Sequence, residues 1–352
     1  MAEKVQVPIR HQSNILNNNE NKELRKNKFG YVSKFKYQKF GTNASKQNNK
    51  SINMTCIEES SFIYDPDNDL KRFYNNYQQC LNNKLDKIDK DTINNIYSVS
   101  EYSHEISIYL KDRELAFEKN NIWENNLKNI SPKVRALSID WIINLHRKFK
   151  LLPETLYITI FFINTYMTKH NLEKSKIQCL ILTSLYLASK YEEIYPPDFS
   201  DYLKSANGEI QQFEILKMEK DILNLTKFDI SFPSSFRFLE RYSKILRFED
   251  KTFSLAQYII ELSFLDENLI NITPSFIAAG STYLAAKILK KESWNELLEK
   301  EVKANESRIK EIAKLLVNID QKAIDLGVES IFQKFLTPSH YNVSQTNLNK
   351  PL

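Results

Sequence analysis

The chain has 352 residues, a net charge of +5 and 42% hydrophobic residues, room for two domains of ordinary size. Its five glycines, at 30, 41, 208, 280 and 327, are too widely spaced for a dinucleotide fingerprint, a P-loop or a kinase-type phosphate loop. Three cysteines (56, 80, 179) without metal-ligand spacing, and no apolar run near the ~18 residues of a membrane span, lead us to expect a soluble intracellular protein.

Residues 1–50 hold 11 Lys/Arg against 3 Asp/Glu and are rich in Asn, Gln and Ser. Such a composition cannot bury enough apolar surface to offset the entropy of ordering. Residues 1–95 are therefore expected to form a mostly disordered, basic, Asn-rich regulatory tail. The basic residues between Lys22 and Lys39 suit either a nuclear-localisation segment or a plain solvated tail. The body shows no concentrated basic face, which argues against nucleic-acid binding.

From about residue 100 the apolar spacing is helical. Residues 101–118 place Tyr102, Ile106, Tyr109, Leu110 and Phe117 as an amphipathic leading helix. Ser131-Pro132 supplies an N-cap and a first-turn proline for a helix carrying Val134, Leu137, Trp141 and Leu145 on one face. Pro153 opens the next helix, residues 174–193 form a central one, Pro196-Pro197 precede a short one, and residues 209–225 complete a five-helix unit. Phe232-Pro233-Ser234 starts a second unit, whose last long helix should run over 306–326 and stop at Gly327.

The two units echo each other. Residues 184–190 read SLYLASK and residues 281–287 read STYLAAK, an offset of 97. The same offset sets Leu156, Ile158, Phe161, Phe162 and Ile163 opposite Phe253, Leu255, Tyr258, Ile259 and Ile260. That is the signature of a duplicated unit. Small residues within each apolar helix, Ala188 and Ala285 among them, let neighbours approach closely, so each is expected at the centre of its unit, with Leu180 in the packing. The fold expected is all-α: an N-terminal helix and first unit over 96–230, a second unit over 231–328, and a disordered tail over 329–352.

Residues 134–150, VRALSIDWIINLHRKFK, resemble the opening helix of the A/B-type (mitotic) cyclins. LLPETLY at 151–157, ASKYEEIYPP at 188–197, MEKDIL at 218–223, FRFLERYSKI at 236–245 and PSFIAAGSTYLAAKIL at 274–289 continue the resemblance, with wording closest to the B-type. The resemblance implies two tandem cyclin boxes and a regulatory subunit without catalytic residues, cofactor or metal. Such a subunit binds and activates a cyclin-dependent Ser/Thr kinase and helps to select substrates in mitotic control. Nucleus and cytoplasm are the expected locations, and no membrane partner is expected.

By the same resemblance Lys190 and Glu219 form the kinase-docking pair, with Glu192, Glu193, Tyr109, Phe228 and Ile230 as further kinase-binding candidates. Each has an ordinary alternative: a helix-end lysine, solvated acids, core aromatics. A groove for Arg-x-Leu peptides of substrates or inhibitors would use Val134, Leu137, Trp141, Ile177 and Gln178. Ser138 stands where the family has leucine and Asn144 where it has an acid, so a weaker or differently selective groove is expected. Arg135 should pair with an aspartate on the next helix, but that position is Asn164. Either another acid serves Arg135 or water does.

In the tail Arg10 and Asn18 have the separation of the family's degradation signal but Ser13 stands in place of leucine, and NENK at 19–22 only approximates a second such signal; chance matches in an Asn-rich tail and a degenerate signal both fit. Ser131, Thr273 and Thr337 precede prolines, Thr337 in the segment expected to be accessible. Two other classes of function stay open at this level. One is a cyclin-fold binding protein of the transcription machinery or of nucleic acid. The other is an enzyme, for which the five scattered histidines offer no constellation.

Overall fold

The computed structural model describes residues 85–119, 130–170 and 172–348, with residues 71 and 75 as isolated helical positions. The expected tail up to residue 84, with its basic segment and degradation-signal candidates, lies outside the described residues. Two short helical pieces lead in: α1 (Lys87–Asp91) and α2 (Ser103–Lys119). The first repeat comprises α3 (Pro132–Phe149), α4 (Pro153–Lys169), α5 (Ile177–Glu192), α6 (Phe199–Ser205) and α7 (Gln212–Thr226). The second comprises α8 (Ser235–Ile245), α9 (Asp250–Ser263), α10 (Pro274–Ile288), α11 (Glu296–Val302) and α12 (Glu306–Leu316). No strand occurs among the described residues, and none of their helices is long and apolar enough to cross a membrane.

The helix starts follow local chemistry. Ser131 Oγ accepts the Val134 N–H ahead of α3, Ser234 Oγ accepts the Arg237 N–H ahead of α8, and Asn295 and Asn305 do the same for α11 and α12. Prolines 132, 153 and 274 occupy first turns, where a missing N–H costs nothing. α5 begins at Ile177 and α10 at Pro274, the offset already visible in the repeated peptides. Both are packed on all sides: α5 against α3, α4 and α7, and α10 against α8, α9 and α12. Leu180, Ala188 and Ala285 are fully buried, as their small or apolar character requires. At Gly280 an added Cβ would stand 2.7 Å from Ile312 Cγ2, so α10 and α12 touch backbone to side chain.

Aromatic and polar residues fasten the repeats to each other and to α2. Phe117 sets its ring edge-on against Phe161 and Phe232, centroids 5.3 and 5.7 Å apart, while Phe161 and Phe232 stack at 4.2 Å. Glu114, also on α2, accepts both the backbone N–H and the hydroxyl of Ser275 at 2.7 Å, an acid at the positive end of α10. One helix thus engages both repeats.

Three expectations need correction. Residues 87–91 belong to the folded body: buried Asp89 receives Arg241 at 2.8 Å and Lys244 at 2.9 Å from α8. Burial raises the Asp89 carboxyl pKa, but these two cations outweigh it and leave it below the ordinary value. The expected helix over 306–326 is two helices, since α12 ends at Leu316 and α13 (Ile319–Leu326) follows, capped by Gly327 with φ +74°. Residues 329–348 are folded, not a loose tail. α14 (Ser330–Phe335) buries Ile331 and Phe335, and Val343 and Leu348 are buried beyond it. Lys334 reaches Glu261 of α9 at 2.6 Å, and Asp140 of α3 accepts the Ser330 N–H at 2.7 Å. Thr337 therefore sits in a hydrogen-bonded turn, its hydroxyl donating to the Lys334 carbonyl at 3.0 Å.

Candidate functional site

The C-terminal end of α5 reaches the surface at Lys190. Its ammonium pairs with Glu219 of α7 and lies 4.5 Å from the Tyr186 ring centroid. The pair stands at an edge, the lysine side chain 37% exposed. Exposed large apolar residues follow it in the chain: Tyr191, Ile194 and Tyr195. Arg113 of α2 pairs with Asp229 in the same region, and both Tyr109 and Tyr191 lie within its electrostatic reach. The Asp229 hydrogen bond comes first in raising the Arg113 pKa, and the same contact lowers that of Asp229. Phe228, next to Asp229, is 69% exposed and held at φ +61°, a conformation costly for a bulky residue. Tyr109 is 52% exposed, whereas Ile230 is half-buried and packs on the core.

Glu192 and Glu193 have work inside the chain. Glu193 Oε1 accepts the Leu152 N–H at 2.7 Å and the Thr155 hydroxyl at 2.6 Å, capping α4 from 41 residues away. Glu192 lies 3.6 Å from Arg237 of α8, and burial raises its pKa. Arg237 also reaches Glu154, a buried acid that accepts the Ser234 hydroxyl at 2.9 Å. These carboxylates hold the junction between repeats, which accounts for acids at a helix C-terminus without invoking a partner.

Arg135 is only 1% exposed. In place of the expected aspartate, its guanidinium donates to Asn164 Oδ1 and to the Phe264 carbonyl, both at 2.7 Å. Burial brings its pKa down to about 10, with Glu267 and Asp266 acting in the opposite direction at longer range.

A second concavity lies on the outer face of α3 and the start of α5. Val134, Leu137, Ser138, Trp141, Ile177 and Gln178 line it together with Lys174 and Ile181. The five groove residues expected from the sequence thus share one site. Asn144 is not in the lining; the charged side chain there is Lys174. A lysine in place of an acid repels an arginine-bearing peptide.

Residues 105–231 match the cyclin N-terminal domain and residues 233–348 the cyclin C-terminal domain. The chain belongs to the cyclin family. It is 31% identical over 241 residues to a G2/mitotic-specific cyclin-B of Dictyostelium discoideum, covering 68% of this chain and 55% of that protein. With a G2/mitotic-specific cyclin-B1 of Oryzias latipes it shares 34% over 221 residues, 62% of this chain and 54% of the other. It spans little more than half the length of these relatives. Among solved structures, a viral cyclin from herpesvirus saimiri matches at a TM-score of 0.50 with 18% identity, over 69% of this chain and 98% of that one. A chain of the yeast RNA Pol II CTD kinase CTDK-1 complex also matches at 0.50, with 17% identity over 64% and 89%. Both support the fold.

In this cyclin three features of the candidate faces escaped the sequence. Ile181 lies one turn beyond Ile177, so helical spacing could have found it. Lys174 precedes α5 in a three-residue 3₁₀ turn, Lys174–Lys176, and no periodicity points it at the groove. The Arg113–Asp229 pair joins residues 116 apart and leaves no local trace. Among the described residues no group of three or more His, Cys, Asp or Glu is placed to hold a metal ion.

Proposed function

We propose that this cyclin is the regulatory subunit of a cyclin-dependent Ser/Thr protein kinase in mitotic control, binding and activating the kinase rather than catalysing a reaction itself. The observation that carries this reading is the Lys190–Glu219 pair, exposed at the C-terminal end of α5 with the exposed Tyr191 next in the chain. A partner that covers this edge buries aromatic area around a preformed ion pair, which favours a few strong contacts at the centre of an interface. The names of the mitotic relatives support the kinase-regulating role. The α3 groove would serve substrate choice, with its preference altered by Ser138 and Lys174. Location in the nucleus and cytoplasm belongs to the same reading, supported by the basic start of the chain.

The test is reconstitution of the full chain with purified cyclin-dependent kinases and a histone phosphorylation assay. Activation of at least one kinase is expected. Lys190→Ala with Glu219→Ala should lower kinase capture by more than about tenfold, since loss of one partner of a desolvated polar contact costs ~2–5 kcal/mol. Full activation by a correctly folded double variant would reject this edge as the docking face.

A further inference from the structure

Between α9 of the second repeat and the C-terminal elements that follow it lies a pocket that neither the docking edge nor the α3 groove uses. It opens between α9, α13, α14 and the 3₁₀ turn Val343–Gln345, with a volume of ≈ 400 Å³. Tyr258, Leu262 and Ile331 contribute its apolar lining. Ile324 and Phe332 also line it, yet they are 68% and 38% exposed. Leaving two large apolar side chains in water beside a concavity is unfavourable unless something covers them.

The charge of the pocket says what that something is. Asp320 and Glu329 are its charged side chains, and no lysine or arginine lines it. Asp320 accepts the neighbouring Gln321 N–H at 2.8 Å, but neither acid has an ion-pair partner among the described residues. The cations of α13 and α14 are committed elsewhere: Lys322 to Asp266 at 2.7 Å and Lys334 to Glu261 at 2.6 Å. Asp320 also sits close enough to Tyr258 to add to the burial that raises the tyrosine's pKa. An apolar pocket flanked by unneutralised acids selects a bulky apolar side chain with positive charge on either side.

We infer that this pocket docks a short peptide segment of a partner protein, one in which leucine or phenylalanine is flanked by lysine or arginine. The inference rests on α9 and the C-terminal elements packed on it and does not depend on the proposed kinase-docking edge.

The probe is a fluorescein-labelled synthetic peptide without an Arg-x-Leu sequence, Lys-Lys-Lys-Phe-Leu-Lys-Lys, titrated by anisotropy against the full chain. Saturable binding that weakens with added salt is expected. The isosteric pair Asp320→Asn with Glu329→Gln should weaken it roughly tenfold, and Ile324→Ser with Phe332→Ser by a similar factor. All four side chains lie outside the packed core, and unchanged melting and unchanged kinase activation would show that the variants are folded. A peptide with glutamates in place of the basic residues should not bind. The inference is overturned if no saturable binding occurs, if the charge variant binds as tightly as the parent, or if the acidic peptide binds equally well. Loss of binding on Trp141→Ala would place the peptide in the α3 groove and overturn it too.

Discussion

Arg135 donates to Asn164 Oδ1 at 2.7 Å, so a buried guanidinium is answered by a neutral amide. The geometry of a counter-ion is kept while its charge is absent. The Phe264 carbonyl, from the loop after α9, accepts a second hydrogen bond and ties Arg135 to the second repeat. The Arg135 Nη1 and Nη2 thus find acceptors, while the buried Nε has no hydrogen-bond partner among the described residues.

Restoring the acid should therefore stabilise the protein. Asn164→Asp turns a neutral acceptor into a charged one, a gain of about 1 kcal/mol. Against Arg135 the new carboxyl would have a folded pKa below its unfolded value of about 3.9. Its stabilisation is thus present above that pH and lost as pH falls through the folded value. Thermal melts at pH 7 should rise by roughly 2–4 °C, with the gain shrinking towards pH 3. No rise at pH 7 would mean that desolvation of the new carboxylate cancels the pairing.

Glu154 has the opposite sign. Burial, reduced by the Ser234 hydrogen bond and Arg237 and increased by Glu192 and Glu240, pushes its pKa up to about 7 from 4.5. The folded protein therefore holds this proton more tightly than the unfolded chain does. The contribution favours folding at acid pH and is lost as pH rises from about 4.5 to about 7. Glu154→Gln can still accept from Ser234, so it should flatten the stability profile across this window and stabilise by about 1–3 kcal/mol at pH 8. Denaturant midpoints of both proteins at pH 5, 6, 7 and 8 test this. Parallel profiles would show that Arg237 keeps Glu154 ionised throughout.

How much was legible in the sequence followed the range of the interactions. α5 and α10 are enclosed on every side, which demands small and apolar residues throughout, and that demand is written twice at the same offset. Val134, Leu137 and Trp141 share a helix face, so their convergence follows from α3 alone. Glu193 looked like a docking acid because its cap on Leu152 joins segments 41 residues apart, and only the folded chain brings them together. α14 was missed because six residues hold just two buried apolar positions one turn apart, Ile331 and Phe335, too few to register as a period. Its order comes from Asp140 and Glu261, both distant in the chain.

The small residues of α10 should resist enlargement. Ala285→Leu, at a fully buried site, should destabilise by about 1–3 kcal/mol, as should its counterpart Ala188→Leu in α5. Gly280→Ala is a finer probe, because its methyl group meets Ile312 and must push that side chain aside. Combining it with Ile312→Ala, which removes the Cγ2 that the methyl group meets at 2.7 Å, should cost less than the sum of the two single losses, a coupling that a double-mutant cycle measures. Additive losses would show that α12 yields as a whole instead of at Ile312.

The α3 groove should bind Arg-x-Leu peptides weakly, for two separable reasons. Ser138 removes apolar area where a peptide leucine would pack, and Lys174 sets a positive charge in the lining. Ser138→Leu adds buried apolar area worth ~1.5 kcal/mol or more when covered by the peptide. Lys174→Glu removes a repulsion and adds an attraction at an exposed rim, each up to ~1 kcal/mol. The double variant should therefore bind roughly ten- to three-hundredfold more tightly, since ~1.4 kcal/mol is a factor of ten. Asn144→Glu is the control: Asn144 is outside the lining, so it should change little. Anisotropy of a labelled Arg-x-Leu peptide separates the cases, with Trp141→Ala as the loss-of-groove reference. A gain from Asn144→Glu and none from Lys174→Glu would mean that the bound peptide runs along α3 in a different direction from the one Lys174 implies. Tight binding by the unaltered protein would instead show that Trp141, Leu137 and Ile177 suffice to hold the peptide.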